Sequence, residues 1–224
     1  AGDPAEGFAL RQACTMCEYP VPTAAPIVLQ QFGGRDELWI EASDGWGERL
    51  GLRPVPAEGR SAHERAVAAL IGEHTVVRDR ILGEMAATTA DPAGLAALFS
   101  TCIRCHNCMT NCPICYCKTC FFKTDVFDHD PMQFILWAER KGATRLPPDT
   151  VLFHLTRMNH MSTSCVGCGL CTSACPAGIP VGAAFRAVAA RTQAVFGYVA
   201  GRSLEDTPPV KTFAVDELRN LGDS

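Results

Sequence analysis

Most of the side chains that could carry chemistry in this sequence are cysteines, and they fall into three short clusters. Seven of the 13 cysteines lie in CIRCHNCMTNCPICYCKTC, residues 102–120, and four lie in CVGCGLCTSACP, residues 165–176. The last two form the pair CTMC, residues 14–17. Disulfide frameworks are typical of short secreted chains with an even number of cysteines. The odd number and the tight clustering therefore indicate thiolate ligands for metal centres.

The two longer clusters share one spacing, C-x2-C-x2-C-x3-C-P, which covers residues 102–113 and 165–176. Bacterial ferredoxins bind [4Fe–4S] clusters with this spacing: three cysteines of one run bind one cluster, and the fourth binds the neighbouring cluster. The proline stops the chain from continuing as a regular helix directly after the fourth ligand. Gly167 and Gly169 allow the backbone of the second run to approach a cluster closely. Two such runs in one chain predict two [4Fe–4S] clusters.

The exchange of the fourth ligand assigns eight cysteines to two clusters, which we name cluster A and cluster B. The ligands predicted for cluster A are Cys102, Cys105, Cys108 and Cys175. The ligands predicted for cluster B are Cys165, Cys168, Cys171 and Cys112.

Five cysteines remain, and four of them form two C-x2-C pairs. The pairs are Cys14 with Cys17 and Cys117 with Cys120, and we expect them to meet in a third site. We favour a third [4Fe–4S] cluster, because one pair directly follows the first run and a third centre would extend an electron path. Four thiolates would also bind zinc in a structural site. The fifth cysteine, Cys115, either replaces Cys117 as a ligand or is a buried free thiol.

Polar side chains beside the cysteines are weaker candidates. His106 and His160 lie near the runs, and Arg104 and Lys118 could raise the potential of a cluster by their charge, although solvent-facing positions are the default for both. Because cysteines already supply all the cluster ligands, we expect the histidines to pack, to face solvent or to hydrogen-bond near a cluster. The sequence has no evident Ser–His–Asp set or nucleophilic cysteine, so no catalytic residue is predicted.

Helix signals surround the two runs. Asp130 with Pro131 predicts a helix start, Gly142 predicts its end, and Asp91 with Pro92 predicts another start before the first run. Three segments also carry residues that recur at helical spacing. In the helix from Pro131 they are Met132, Ile135, Leu136 and Glu139. In residues 147–161 they are Val151, Leu152, Leu155 and Met158. After Pro180 they are Val181, Phe185, Val188, Val195 and Val199, with Arg186, Arg191 and Gln193 outside the stripe.

The N-terminal part has a different pattern. PIVLQQFG and ELWIEASDG are short β-type runs bounded by Gly33–Gly34 and Gly45, and they predict a hairpin or a small sheet. Ser61 and Glu64 then fit a capping box at the start of a long helix. The predicted fold class is therefore mainly α: an α-helical ferredoxin domain with two cluster loops, plus a small N-terminal β-containing lobe.

These patterns divide the chain into four parts. We predict the β-containing lobe in residues 1–58, a connecting helix in 59–90, the helical ferredoxin domain in 91–200 and an extended tail in 201–224. The tail has two adjacent prolines and few apolar residues, among them Phe213, Val215 and Leu218. It cannot bury much surface alone, so we expect it to dock on a partner subunit; the alternative is that it folds back over the helices of its own chain.

Composition excludes several function classes. A net charge of −4 without a basic segment argues against nucleic acid as a partner. No apolar stretch is long enough to span a membrane, and the first dozen residues lack the basic start and apolar core of a signal peptide. We therefore expect a soluble, cytoplasmic protein.

The block from Asp91 to Arg202, in which CIRCHNCMTNCP and CVGCGLCTSACP are separated by helical residues, resembles the helical ferredoxin component of heterodisulfide reductase. Similar modules occur in succinate dehydrogenase iron–sulfur subunits. The stretch ACTMCEYPVPTAAPIVLQQFGG followed by LWIEAS is similar to the beta subunits of deazaflavin-linked hydrogenases and formate dehydrogenases. The resemblance implies a subunit that carries iron–sulfur clusters and FAD and passes electrons between a metal-containing catalytic subunit and a soluble carrier. The chain has no segment that matches the full flavin-binding domain of that family, so FAD stays an open question.

Together these observations predict an electron-transfer subunit of an oxidoreductase complex without a substrate-converting site of its own. The expected partners are a formate dehydrogenase or hydrogenase catalytic subunit on one side and a flavin or heterodisulfide-reductase-type subunit on the other. Two alternatives remain open. One is a stand-alone oxidoreductase with a flavin in the N-terminal lobe, and the other is a cluster-based redox sensor.

Overall fold

The computed structural model describes residues 7–22, 25–30, 38–43, 45–54, 56–143, 148–212 and 215. The chain forms two compact units, Ala1–Ile81 and Leu82–Ser224. Helices dominate, and the strands found in the described part pair into one two-stranded sheet. The predicted fold class, mainly α with a small β-containing lobe, is confirmed. The boundary between the units falls inside a helix, and the four-part division made from the sequence stays a prediction.

The first unit contains the predicted hairpin. Its elements are α1 (Gln12–Thr15), β1 (Ile27–Gln30), β2 (Trp39–Ala42), α2 (Trp46–Arg49) and most of α3 (Ala57–Thr88). The two strands are antiparallel, with Ile27 opposite Ala42 and Gln30 opposite Trp39. Gly45 precedes α2 with a left-handed φ of 76°, which explains the need for glycine at this turn. Gly33–Gly34 lie outside the described residues.

The long helix α3 begins earlier than its sequence signal. The capping box predicted at Ser61 and Glu64 is wrong, because α3 already starts at Ala57 and both residues lie inside it. Its first turn closes when the backbone N–H of Arg60 donates to the carbonyl of Pro56 at 3.1 Å. Proline, with its fixed φ, is well suited to precede or open a helix. The proline therefore marks the start, and the serine does not.

The second unit holds six helices among its described residues. They are α4 (Pro92–Leu98), α5 (Asn107–Thr110), α6 (Pro131–Lys141), α7 (Pro148–Ser162), α8 (Leu170–Ser173) and α9 (Val181–Val195). Two short 3₁₀ turns, at Phe121–Lys123 and Asp125–Phe127, lie between α5 and α6. None of the helices in the described part of the chain is long and apolar enough to cross a membrane.

The predicted starts of α4 and α6 and the predicted end of α6 are confirmed. The Asp91 carboxylate accepts from the N–H groups of Ala93 and Gly94 at 2.7 and 3.0 Å. Asp130 accepts from Met132 N–H at 2.7 Å in the same way. Gly142 ends α6 with a left-handed φ of 70°. Each Asp–Pro pair satisfies free N–H groups and presets the first helical φ, so this signal is reliable here.

The core of the second unit forms where α7 packs against α9, with the cysteine loops along its edge. Phe153 of α7, Phe185 of α9 and Phe99 at the end of α4 are 2%, 4% and 0% exposed. Cys102, Cys112, Cys171 and Cys175 pack against this core. The loops are therefore supported by a rigid apolar base.

Only some residues of the apolar stripes predicted on α7 and α9 are buried. On α7, Met158 is buried, but Leu152 and Leu155 are 48% and 44% exposed. On α9, Val181 and Phe185 are buried, whereas Val195 is 41% exposed. The exposed leucines and valine are corrections to the sequence-based stripes.

Polar side chains take the buried positions instead. Among them are His154 and Arg157 on α7 and Gln193 on α9, each at most 4% exposed. Gln193 donates to the carbonyls of Ser162 and Cys165 at 3.1 Å each and accepts from Ala200 N–H at 3.1 Å. A buried amide is stable when its hydrogen bonds are satisfied, and this one ties α9 to the start of the second run.

The face of α6 that was identified from the sequence lies towards solvent. Met132, Ile135 and Leu136 are 55%, 52% and 51% exposed. Phe134 and Trp137, on another face, pack edge-on against each other and against His129. The helix is therefore held mainly through its aromatic residues.

Candidate iron–sulfur site

The two cysteine runs adopt the same backbone conformation. In the second run Gly167 and Gly169 have φ values of 71° and 73°, in the left-handed region. In the first run the equivalent positions are Arg104 and His106, with φ values of 58° and 59°. Left-handed φ costs a residue with a Cβ on the order of 1 kcal/mol. Both runs thus turn their chain the same way, although only one uses glycine for it.

Each run then enters a four-residue helix, α5 or α8, and these two helices pack against each other. Backbone N–H groups point at the sulfurs. Arg104 N–H donates to Cys102 Sγ at 3.4 Å. Burial raises the pKa of Cys165, and a hydrogen bond from Gly167 N–H opposes this increase. Such N–H donors stabilise anionic sulfur. The two loops therefore have the chemistry of a cluster-binding loop.

One cavity brings together all four cysteines predicted for cluster A. Its sulfur-bearing residues are Cys102, Cys105, Cys108 and Cys175. Phe153, His154, Ile179 and Val181 complete much of its apolar wall. Burial raises the pKa of the Cys102 and Cys108 thiols, and the neighbouring Cys175 adds to both increases. The fourth cysteine of the second run thus lies with the first three of the other run, as the exchange rule requires.

The cysteines predicted for cluster B are also neighbours. Burial raises the pKa of the Cys171 thiol to about 11 against the opposing charge of Arg157, and Cys165 and Cys112 add to the increase. Burial raises the pKa of Cys165 as well, with contributions from Cys168 and Cys112. Thiols with raised pKa become thiolates when a metal centre displaces the proton. Both donor sets fit thiolate-bound clusters, and the individual ligand assignment stays a prediction.

Two residues that contact these sulfurs were not predicted from the sequence. His154 Nε2 lies 3.4 Å from Cys102 Sγ, and its ring stacks on Phe99 at 3.7 Å between centroids. Arg157 donates from Nη1 to Cys108 Sγ at 3.1 Å. Burial first, and then the charge of Arg157, lower the pKa of His154 to about 4, so its ring is neutral at neutral pH. The available signal was their i, i+3 spacing on one face of α7, beside Phe153.

Arg104 and His106 are closer to cluster A than the sequence indicated. Arg104 is not solvent-facing: it forms an ion pair with Asp149, and both side chains are about 15% exposed. His106 is half-buried and stacks on Phe153 at 4.6 Å between ring centroids. Burial lowers the pKa of His106, and the charge of Arg104 adds to this effect. Both residues of the first run with a left-handed φ thus have side-chain contacts within the second unit.

The cysteines of the predicted third site belong to different units. Cys14 and Cys17 lie at α1 in the first unit, where His74 Nδ1 is 2.8 Å from the carbonyl oxygen of Cys17. Cys117 and Cys120 lie in the second unit, with Cys117 Sγ 3.9 Å from His160 Nδ1 and Cys120 Sγ 3.4 Å from Met109 Sδ. His160 therefore lies beside Cys117. The third site and its ligand set stay a prediction.

Cys115 lies next to this second pair. It is half-buried, packs against the core and has a pKa raised by burial, with a further contribution from Cys117.

In the described part of the chain, no group of three or more His, Cys, Asp or Glu side chains is arranged to hold a single metal ion. A [4Fe–4S] cluster spreads its four thiolates over four irons, so its ligands need not converge on one point.

Comparison with known proteins identifies the domain that the cysteines build. Residues 98–179 match the family described as "4Fe-4S dicluster domain". The chain is 26% identical over 213 residues to the F420-dependent formate dehydrogenase subunit beta of Methanocaldococcus jannaschii, covering 88% of this chain and 50% of the relative. It is 25% identical over 221 residues to the F420-dependent formate dehydrogenase 1 subunit beta of Methanococcus maripaludis, covering 91% and 52%.

The chain thus contains a [4Fe–4S] dicluster domain, and its resemblance to the beta subunits of these formate dehydrogenases is confirmed. The cofactor prediction is confirmed at the level of [4Fe–4S] clusters. The chain spans about half the length of the curated relatives it matches.

Proposed function

We propose that this chain is an electron-transfer subunit of a formate-oxidising complex, in which single electrons pass between a catalytic subunit and a second redox partner. The observation that carries the proposal is the pairing of two equivalent cysteine loops on one helical core, each with the donor set of a [4Fe–4S] cluster. Similarity to formate dehydrogenase beta subunits supports the choice of complex.

Different groups of residues would hold the clusters, fix the loops and face the partners of such a subunit. Bound [4Fe–4S] clusters supply one-electron chemistry at potentials set by charge, hydrogen bonds and solvent exposure. Phe153, Phe185 and the adjoining core fix the two loops relative to each other, so that little reorganisation accompanies a change of charge. Cys105 and Cys168 are exposed, whereas Cys108 is buried. We propose that electrons enter and leave near the two exposed cysteines.

We further propose a third [4Fe–4S] cluster on Cys14, Cys17, Cys117 and Cys120, with zinc as the alternative metal. Each C-x2-C pair supplies two thiolates. The position of Cys117 and Cys120 directly after the first run supports a role next to cluster A or B. A third centre at this position would lengthen the path that electrons travel through the subunit.

The partners that we propose are a formate dehydrogenase or hydrogenase catalytic subunit and a flavin or heterodisulfide-reductase-type subunit. The test is to add formate and the purified catalytic subunit anaerobically to this chain and to follow its clusters by electron paramagnetic resonance. Formate should produce the signals that dithionite produces in the chain alone. If dithionite gives the signals but formate and the catalytic subunit never do, the proposed partner is wrong.

A cavity in the first unit supports the alternative function, in which the N-terminal lobe binds a flavin. The first unit has a cavity of about 340 Å³ between β2 and α3, lined by residues that include Gln30, Trp39, Glu41 and His63. Cavities of this size accept small organic ligands. An absorption spectrum of the purified protein decides the question, because a flavin adds resolved bands to the broad absorption of the clusters. The redox-sensor alternative predicts a change of binding partner on oxidation.

A further inference from the structure

The arginine at the centre of the second unit is buried, and no carboxylate forms an ion pair with it among the residues that the structure describes. Arg157 is 4% exposed, and its guanidinium lies 4.8 Å from the ring centroid of Phe185 and 5.6 Å from that of Phe153. Its Nη1 donates to Cys108 Sγ at 3.1 Å and its Nη2 to the Cys108 carbonyl at 2.9 Å. Its Nε, also buried, has no hydrogen-bond partner.

No ion pair between Arg157 and a carboxylate occurs among the residues that the structure describes. A buried cation is costly unless an anion compensates it. Around this guanidinium the group that can carry a negative charge is sulfur, because Cys108 Sγ lies 3.1 Å from Nη1. The arginine is therefore positioned to face the negative charge of a thiolate-bound cluster.

The charged and polar side chains that lie beside the predicted ligands differ between cluster A and cluster B. Arg157 touches a predicted sulfur ligand of cluster A, and His154 Nε2 lies 3.4 Å from a second one, Cys102 Sγ. The arginine next to cluster B, Arg186, is only half-buried, and its Nη1 donates to the carbonyl of Cys165 at 3.4 Å. A positive charge and an N–H donor stabilise the reduced cluster more than the oxidised one, because the reduced cluster is more negative.

We propose that Arg157 is a positioning residue that raises the reduction potential of cluster A above that of cluster B, so that electrons within this chain run from B to A. The transfer moves one electron from the reduced cluster B to the oxidised cluster A and needs no proton or other reactant. This inference rests on the proposed electron-transfer function and adds a direction to it.

The test is a redox titration of the purified protein followed by electron paramagnetic resonance. Cys102→Ser and Cys165→Ser identify which signal belongs to cluster A and which to cluster B. In the wild type, the signal of cluster A should be reduced first. In Arg157→Met, the reduced-to-oxidised ratio of cluster A at a given potential should fall at least tenfold, which is about 59 mV for one electron.

Two further variants separate charge from packing. Arg157→Lys keeps the charge but loses the paired contacts, so its shift should lie between those of the wild type and Arg157→Met. The matched control Arg186→Met should leave the cluster A potential unchanged. Equal shifts of both clusters in Arg157→Met, or a shift of cluster A in Arg186→Met, would overturn the proposal.

Reduction of cluster B before cluster A in the wild type would also overturn the inference, and this measurement remains available if Arg157→Met loses iron. All of these potentials are measured without a partner subunit. If they behave as stated while formate and the catalytic subunit fail to reduce the clusters, the proposed partner is wrong and the inference about Arg157 stands.

Discussion

At the scale of single residues, the predicted exchange of cysteine ligands between the two runs has the clearest testable consequences. Cys175 lies 73 positions after Cys102 in the chain, yet both line the same cavity. Cys112 likewise belongs to the first run but contributes to the raised pKa of Cys165 and Cys171. The predicted exchange therefore requires both runs to contribute ligands to each cluster.

We expect Cys175→Ser to damage cluster A, which is bound mainly by the distant run, and Cys165→Ser to damage cluster B. A serine oxygen is a poorer ligand for iron in these clusters than a thiolate. Electron paramagnetic resonance of the two reduced variants should show the loss of two different signals. Loss of the same signal in both variants would contradict the exchange.

At the scale of elements, the fit between α9 and the second run depends on a glycine. A Cβ on Gly182 would lie 2.8 Å from Thr172 Oγ1 and 3.5 Å from Cys171 Sγ. The N–H of Gly182 also donates to Thr172 Oγ1 at 2.7 Å. The helix therefore lies directly against the loop that is predicted to hold cluster B, with no room for a larger residue.

Gly182→Ala should destabilise the protein by about 1–3 kcal/mol, the range for overpacking in a core, and should weaken the signal of cluster B before that of cluster A. Gly83→Ala in α3 is the matched control, because nothing lies within 4 Å of a Cβ built there. Alanine at that position should stabilise the helix by about 0.5–1 kcal/mol. Thermal unfolding and iron analysis of both variants would check this, and equal effects would contradict it.

The same elements show how far a sequence alone predicts this structure. The starts of α4 and α6 followed from Asp91–Pro92 and Asp130–Pro131, because local hydrogen bonds and a fixed φ decide them. The buried face of α7 did not follow. Leu152 and Leu155 look like core residues, but His154 and Arg157 are buried because sulfur-bearing loops cover that face. Hydrophobic periodicity carries no information about a partner surface that is itself polar.

At the scale of the whole molecule, the predicted number of metal centres per chain can be tested by metal analysis. The two runs predict two clusters, whereas the predicted third cluster requires Cys14 and Cys17 of one unit to act with Cys117 and Cys120 of the other. We expect iron and acid-labile sulfide near twelve of each per chain, at about four irons per cluster. About eight irons with one zinc would make the third site a zinc site. About eight irons without zinc would mean that the two pairs do not share a metal.

The C-terminal residues are the second whole-molecule feature. Leu204, Val210 and Val215 are 94%, 76% and 82% exposed, while Phe213 and Leu218 lie outside the described residues. Residues 206–210 line a shallow surface pocket with Phe196 and Tyr198, and Asp206 pairs with Arg202 at 2.8 Å. Exposed apolar side chains of this kind contribute little to the stability of the chain that carries them, but they suit an interface with another subunit.

We therefore expect deletion of the residues from Asp206 onward to leave the cluster content intact and to lower co-purification with the catalytic subunit. A shorter deletion, from Phe213 onward, keeps the residues beside Phe196 and Tyr198 and separates docking from any support of α9. Both deletions should weaken the complex, because both remove Val215 and the segment around it. Loss of iron or precipitation after the shorter deletion would show that the tail belongs to the core of this chain. If co-purification is undiminished after both deletions, the partner docks elsewhere, and the cluster loops become the expected docking surface.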